Sequence, residues 1–158
     1  INLSVYSSYD VLIVGDESGY EFLRTLSFLL SSLFRLYEKG RPPRLLLPNP
    51  DIIYPASSDT YGVAAGSIAL VIERALEERF SGSGMNKFEA LGKPHAPIFK
   101  KAIETIGTSH VVMVGDTLST DILGANNFGI ASALVVNDTR QTNDQKSDFP
   151  VEPTYILL

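Results

Sequence analysis

The sequence predicts an α/β protein in which a parallel β-sheet lies between layers of helices. Short apolar runs typical of buried strands alternate with longer segments that have helical periodicity. The run 111–114, three of whose four residues are valine, predicts a strand buried on both faces, and Gly115 and Asp116 follow it at once. With 44% hydrophobic residues, the 158-residue chain can bury a core, and its length suits one domain or a domain plus part of another.

The amino-acid composition limits the kinds of molecule that the protein is expected to bind. The formal net charge of −5 argues against nucleic acid and anionic membranes as main partners. The absence of cysteine excludes disulfides and thiolate metal sites, and it fits a cytoplasmic protein. The apolar run 22–37 carries Arg24 and Arg35 and is too short to span a bilayer. We therefore expect a cytoplasmic protein whose main partner is neither nucleic acid nor an anionic membrane.

The first third of the sequence predicts two or three strands and one long helix. Residues 1–9 favour an edge strand, and residues 10–15 favour a strand that ends in glycine. Residues 21–39 predict a helix that is apolar nearly all round, which indicates burial or an interface with a second copy. Residues 44–47 predict the next strand.

A proline-rich turn and a second helix follow. Residues 48–51, Pro-Asn-Pro-Asp, predict a rigid turn that could place an amide or carboxylate beside a ligand, although a simple turn is the favoured interpretation. Residues 62–67 open a helix that runs to about Phe80, and residues 81–84 read as a connector. The predicted inner face of this helix consists of Ile68, Val71, Ile72, Ala75 and Leu76.

The second half of the sequence repeats the alternation. Pro94 and Pro97 predict the start of a helix that continues to residue 106. After the strand at 111–114 comes a short helix that ends at Gly129, and then a strand over 130–136. The remaining predictions are a polar loop and a last strand, at residues 137–150 and 154–158.

Asp116 and Asp121 mark the candidate site. They follow the carboxyl end of a predicted strand, which is where open α/β sheets bind ligands. Because Mg²⁺ prefers oxygen ligands, Asp116 is a candidate metal ligand and Asp121 a second ligand or its supporting partner. The alternative for Asp121 alone is that it stabilises the positive end of the next helix. The residues between them that favour helix N-caps are Thr117, Ser119 and Thr120.

Three further polar residues could contribute. Lys93 precedes a predicted helix and lies between glycine and proline, where it could supply a point charge to a phosphate group. His95 follows on the same loop; a surface position is favoured, with substrate contact as the alternative. Asp16 follows the strand at 10–15, but no second aspartate lies two residues further on, so a loop acid that caps the next helix is the favoured interpretation.

These motifs resemble the haloacid dehalogenase-like superfamily. The resemblance is carried by Gly92-Lys93-Pro94 and, further along, by the segment 114–125, which begins Val-Gly-Asp-Thr-Leu-Ser-Thr-Asp. Asn49-Pro50-Asp51 and the helix opening at 62–67 resemble the 4-nitrophenylphosphatase-like and NagD-like subclass. The resemblance extends over residues 10–158 and implies a three-layer, Rossmann-like core.

The resemblance also implies a function. Members of the superfamily of this kind are Mg²⁺-dependent phosphatases that hydrolyse small phosphate esters through an aspartyl-phosphate. Lys93 would match the lysine that balances the charge of the nucleophile and the phosphoryl group, and Asp116 would match an acidic metal ligand. Asp121 would match the neighbouring acid that supports the metal or the lysine. The residues assigned to substrate binding are Asn49, Asp51 and His95.

The chain departs from the family pattern at its beginning. The family's nucleophile lies in an Asp-x-Asp motif, which this sequence does not contain, and residue 1 is isoleucine. We therefore expect the chain to be an incomplete and inactive portion of a phosphatase. By resemblance, residues 1–58 would be the end of a cap domain and residues 59–158 the C-terminal half of the catalytic core.

Two other functions remain open from the sequence. A non-catalytic relative would keep the fold and use its surface to bind a partner. A receiver-like signalling domain also combines carboxylates with a lysine around Mg²⁺, but its lysine comes late in the chain. Here Lys93 precedes Asp116, and this order argues against a receiver.

Overall fold

A computed structural model of the chain describes residues 4–15, 19–80, 87–136 and 151–158. The chain divides into two compact units, residues 1–90 and residues 91–158. These units are defined by internal contacts, whereas the boundary predicted at residue 58 separates a cap domain from a catalytic core. That boundary stays a prediction. The helices and strands are, in order, β1 (Val11–Ile13), α1 (Phe22–Glu38), β2 (Arg44–Leu47), β3 (Ile53–Pro55), β4 (Tyr61–Val63), α2 (Ala65–Arg79), β5 (Glu89–Ala90), α3 (Ala96–Ile106), β6 (Val112–Gly115), α4 (Leu123–Phe128), β7 (Ala131–Val135) and β8 (Tyr155–Leu157).

The first unit contains a parallel sheet with the strand order β1-β2-β5. Helix α1 contacts α2, and α2 contacts β2. The predicted α/β class is confirmed here, and the predicted bounds of β2 are those observed. Within the described part of the chain, no helix has both the length and the apolar character needed to cross a membrane. The buried core of this unit consists of Val14, Leu33, Leu45, Leu47, Ala65, Ile68, Ala69, Ile72 and Leu76.

Strands β3 and β4 form an antiparallel hairpin, which the sequence interpretation did not include. Residues 56–60 are too few for the crossover that a parallel pair needs, so the strands must be antiparallel. The ring of Tyr54 on β3 lies over Gly62 of β4 and occupies the space that a Cβ atom there would need. The edge strand predicted at 1–9 is wrong for residues 4–9, which contain no strand, and residues 1–3 lie outside the described part.

The predicted inner face of α2 is wrong at Val71. The structure buries Ile68, Ile72 and Leu76, whereas Val71 is 46% exposed. Val71 lies one residue before Ile72, which turns it about 100° away around the helix. It lines a shallow depression on the outer face of α2, with Leu70 among its neighbours. The apolar residues of α2 therefore cover a wider part of its surface than the face that packs against the core of this unit.

Glu73 is a buried acid that joins α2 to the segment before β5. Its Oε1 accepts a hydrogen bond from the backbone N–H of Phe88 at 2.7 Å, and its Oε2 accepts one from Lys87 Nζ at 3.0 Å. Lys87 Nζ also pairs with Glu77 at 2.8 Å, which lowers the pKa of Glu77 and raises that of Lys87. Because a buried charge is costly unless it is paired, these bonds fix the position of the short strand β5.

The second unit is built on a parallel sheet with the strand order β6-β7-β8. Helix α3 packs against α4, and the rings of Phe99 and Phe128 stack with centroids 5.6 Å apart. Gly124 allows this approach, because a Cβ atom there would lie 2.8 Å from the Phe99 ring and 2.9 Å from Pro94 Cα. The strands predicted over 111–114, 130–136 and 154–158 are confirmed within one or two residues. The polar loop predicted at 137–150 lies outside the described residues.

Strand β6 is not buried on both faces, as its composition predicted. Val112 is 49% exposed and Val114 is 54% exposed, whereas Met113 is half-buried. Successive side chains on a strand point to opposite faces, so one face of β6 is covered and the other is open. The first turn of α1 likewise exposes Phe22 and Leu23. The oligomer predicted through that helix stays a prediction.

Two tyrosines of the first unit predict a loss of stability at alkaline pH. Burial raises the pKa of Tyr9 above its ordinary 10.0, against a smaller lowering effect of the Ser32 hydroxyl, and burial raises that of Tyr37. Since the unfolded chain releases these protons first, this stabilisation is complete below the ordinary pKa and is lost as pH rises through the raised values. We expect the free energy of unfolding, measured by denaturant titration from roughly pH 9 to 11, to fall.

Tyrosine-to-phenylalanine variants separate the contribution of Tyr9 and Tyr37 from other causes of a loss of stability at alkaline pH. A Tyr9→Phe/Tyr37→Phe double variant should lose less stability over that range than the parent protein. Tyr61→Phe, which removes a hydroxyl from an exposed side chain, should keep the parent slope. The same slope in all three proteins would contradict the assignment to buried tyrosines.

Candidate functional site

The candidate site lies at the carboxyl end of β6. Gly115 is the last residue of this strand, and Asp116 follows it with an exposed side chain. The next residues form a single turn of π-helix, Leu118–Ile122, which continues directly into α4. Turns of this kind occur often at functional sites. The loop between β6 and α4 therefore carries both aspartates that the sequence singled out.

Gly115 has no room for a side chain. A Cβ atom at this position would overlap the carboxylate of Asp121. The close approach of strand and carboxylate explains why glycine directly precedes Asp116. Asp121 itself is buried, which holds its carboxylate against the end of the strand.

Lys93 pairs with Asp121. Its Nζ donates a hydrogen bond to Asp121 Oδ1, although the two residues are 28 positions apart. The Asp121 side chain is 4% exposed and the Lys93 side chain is 41% exposed. The lysine reaches the site from the loop before α3, which the bond from His95 N–H to the Gly92 carbonyl closes at 2.9 Å. A buried carboxylate thus holds an ammonium group that is open to solvent on one side.

Thr117 connects this pair to Asp116. The backbone N–H of Thr117 donates to Asp121 Oδ2 at 3.2 Å, and its hydroxyl donates to Asp116 Oδ1 at 3.1 Å. Thr117 occupies the N-cap position predicted for it, but its hydroxyl does not cap the helix. Sequence reasoning missed this role. The signal that could have revealed it is the position of Thr117, whose hydroxyl directly follows Asp116, the candidate metal ligand, in the sequence.

Of the two carboxylates at this loop, Asp116 is the one with the chemistry of a magnesium ligand. Asp116 offers hard oxygen at the end of a parallel sheet, whereas both oxygens of Asp121 already accept hydrogen bonds. Over residues 4–15, 19–80, 87–136 and 151–158 there is no group of three or more metal-ligating side chains. Mg²⁺ often uses only one or two carboxylates and takes its other ligands from water and phosphate. The observed partner of Asp121 is Lys93, and ligation of Mg²⁺ by Asp116 or by Asp121 stays a prediction.

The other predicted site residues lie on two loops. His95 is exposed at the N-cap of α3, in the same unit as Lys93. Asn49 and Asp51 are exposed in the first unit, where Asn49 Oδ1 accepts the Asp51 N–H at 3.1 Å. The Asp51 carbonyl accepts the Gly66 N–H at 2.9 Å, which fixes this loop on the start of α2. Asp16 lies outside the described residues.

Comparison with known proteins finds one family match and several similar phosphatases. Residues 90–158 match the HAD-hydrolase-like family. The chain is 28% identical over 116 residues to a dihydroxyacetone phosphatase of Corynebacterium glutamicum, a match that covers 72% of this chain and 38% of that protein. It is 37% identical over 62 residues to a glyceraldehyde 3-phosphate phosphatase of Pyrococcus furiosus, over 38% of this chain and 26% of that protein.

Solved structures agree with these matches. A 4-nitrophenylphosphatase from Thermotoga maritima is similar with a TM-score of 0.70 and 25% identity, over 99% of this chain and 54% of that one. A p-nitrophenyl phosphatase from Archaeoglobus fulgidus is similar with a TM-score of 0.67 and 25% identity, over 94% of this chain and 53% of that one. The chain thus spans about half the length of these structures, and less of the relatives matched by sequence.

Proposed function

We propose that the complete protein is a haloacid dehalogenase-like hydrolase of the 4-nitrophenylphosphatase kind, and that it hydrolyses small phosphate monoesters with the help of Mg²⁺. The observation that carries the proposal is the Lys93–Asp121 ion pair, which is linked through Thr117 to Asp116 at the end of a parallel strand. The names of the two relatives described above support the substrate class, since both are phosphatases of a small phosphorylated compound.

Lys93 would stabilise the phosphoryl group during transfer. Phosphoryl transfer spreads negative charge over three oxygens, and a fixed cation aimed at them lowers the barrier. Asp121 holds the ammonium group in place, because it is buried and the lysine is its ionic partner. The nucleophile of the proposed aspartyl-phosphate route would be an aspartate from an Asp-x-Asp segment, which these 158 residues do not contain. We therefore expect the 158-residue chain to be inactive by itself.

Asp116 would hold the magnesium ion, with phosphate oxygens and water as the remaining ligands. The ion would supply positive charge to the phosphate when bound. Substrate contacts are proposed for Asn49, Asp51 and His95, all of which have exposed side chains. The assignment of residues 1–58 to a cap and 59–158 to the core is part of the same proposal. A cytoplasmic location is proposed from the cysteine-free sequence.

The test is Mg²⁺-dependent hydrolysis of 4-nitrophenyl phosphate by the complete protein. We expect turnover that is abolished by a chelator and restored by added Mg²⁺. In Asp116→Ala, the Mg²⁺ concentration for half-maximal activity should rise by roughly a hundredfold, since even residues that only support metal ligands contribute about 10- to 100-fold to affinity. The measurement is a Mg²⁺ titration of the initial rate at saturating ester.

Two outcomes would count against the proposal. An unchanged Mg²⁺ titration in Asp116→Ala would remove the metal-ligand assignment while leaving the phosphatase assignment intact. No hydrolysis of any small phosphate ester by the complete protein would instead favour the non-catalytic, partner-binding alternative. Asp59→Ala is the matched control, because it removes an exposed aspartate from the hairpin of the first unit.

A further inference from the structure

Thr117 uses all three of its polar groups within the candidate site. Its carbonyl accepts the backbone N–H groups of Asp121 at 2.9 Å and Ile122 at 3.3 Å, which closes the π-helical turn. Its own N–H donates to Asp121 Oδ2 at 3.2 Å. Its hydroxyl donates to Asp116 Oδ1 at 3.1 Å. One residue therefore shapes the turn and contacts both carboxylates.

These bonds form one continuous path across the site. It runs from the Lys93 ammonium to Asp121, from Asp121 to the Thr117 N–H, and from the Thr117 hydroxyl to Asp116. The first two of these hydrogen bonds are accepted by Asp121, whose buried carboxylate has a fixed position. Asp116 itself is exposed, so its orientation depends on bonds such as the one from Thr117. The hydroxyl of Thr117 is therefore a direct link between Asp116 and the buried ion pair.

We propose that Thr117 is a positioning residue: its hydroxyl fixes the Asp116 carboxylate relative to Lys93, so that a bound Mg²⁺ and the ammonium group address the same phosphate. The inference rests on the proposed function. Threonine suits this role because a hydrogen bond to a carboxylate is stronger than one between neutral groups. Its branched side chain also restricts rotation about χ1, which limits the positions of the hydroxyl.

The test replaces only the hydroxyl. Thr117→Val keeps the shape of the side chain and the backbone N–H bond to Asp121, but it removes the bond to Asp116. We expect the dissociation constant for Mg²⁺, measured by calorimetry on the complete protein without substrate, to rise about tenfold. Thr117→Ser should restore most of the affinity. At saturating Mg²⁺ the kcat of Thr117→Val should approach that of the parent protein, with little change in KM for the ester.

A matched control is available in the same unit. Thr105→Val also removes a threonine hydroxyl that donates a hydrogen bond, here at 2.7 Å to the carbonyl of Lys101 on α3. It should leave Mg²⁺ affinity unchanged. A similar loss in Thr105→Val and Thr117→Val would indicate a general effect on folding and would overturn the proposal.

The remaining outcomes are also decisive. If the parent protein hydrolyses esters and Thr117→Val binds Mg²⁺ as tightly as the parent does, the role of Thr117 is wrong and the proposed function stands. Equal weakening in Thr117→Val and Thr117→Ser, with no recovery of kcat at high Mg²⁺, would indicate a structural role and overturn the proposal. If the parent protein neither binds Mg²⁺ nor hydrolyses esters, the proposed function fails and this inference fails with it.

Discussion

Replacement of Lys93 by methionine is expected to lower the kcat of the complete protein about a thousandfold or more. Methionine keeps much of the apolar stem but removes the charge that would face the phosphoryl group. Positive groups aimed at a transferring phosphoryl group contribute about 10³- to 10⁵-fold, and single preorganised donors about 10²- to 10³-fold. The measurement is the steady-state rate at saturating Mg²⁺ and saturating ester.

The structure adds a cost in stability that the loop position of Lys93 alone does not predict. Asp121 is buried, so Lys93→Met leaves a carboxylate without its ionic partner, which could lower the free energy of unfolding by up to about 3 kcal/mol. The double variant Lys93→Met/Asp121→Asn removes the unpaired charge. We expect it to recover stability, measured by thermal unfolding, while turnover remains low.

A second lysine provides the control. Lys100 lies on α3, has a side chain that is largely exposed, and approaches Glu104 only at 4.0 Å. Lys100→Met should change neither stability nor turnover appreciably. If Lys93→Met behaved in the same way, Lys93 would be an ordinary loop residue. Recovery of turnover in the double variant would show that the single variant failed through misfolding.

The elements that the sequence predicted well are those fixed by local patterns. The apolar run of β2 is bounded by prolines on both sides, so both of its ends are visible in the sequence. The end of β6 is visible in the sequence as Gly115, a residue whose position against the buried Asp121 carboxylate leaves no space for a Cβ atom. Strand β5 was missed because it has two residues, and its place depends on the distant acid Glu73 and on an ion pair with Arg44.

Part of the candidate site could likewise be predicted from the sequence, and part could not. Residue type and spacing were enough to single out Lys93, Asp116 and Asp121. The family resemblance left open whether Asp121 supports the metal or the lysine, because its contact with Lys93 depends on how α3 returns to the end of β6. The side-chain contact of Thr117 was not predicted, because a helix N-cap is the more common use of threonine at such a position. The π-helical turn gives its hydroxyl a different acceptor.

Gly115→Ala is expected to reduce turnover a hundredfold or more while every proposed catalytic side chain is retained. The new Cβ atom would occupy the space of the Asp121 carboxylate, so the carboxylate must move and the Lys93 ammonium must follow it. A shift of about 1 Å in a catalytic group can cost about 10²-fold in rate. The measurement is kcat at saturating Mg²⁺, together with thermal unfolding to follow the displaced buried charge.

Gly15 makes this experiment specific, because it follows Val14 after β1 as Gly115 follows Val114 in β6. An added Cβ atom at Gly15 meets no atom of the described residues within 4 Å, so we expect Gly15→Ala to have little effect on rate or stability. If both alanine variants lost activity equally, the loss would reflect glycine at a strand end in general. If Gly115→Ala remained fully active, the close packing of Asp121 on the strand would not be needed to hold Lys93. A selective loss at Gly115 is therefore the result that ties the geometry of this loop to catalysis.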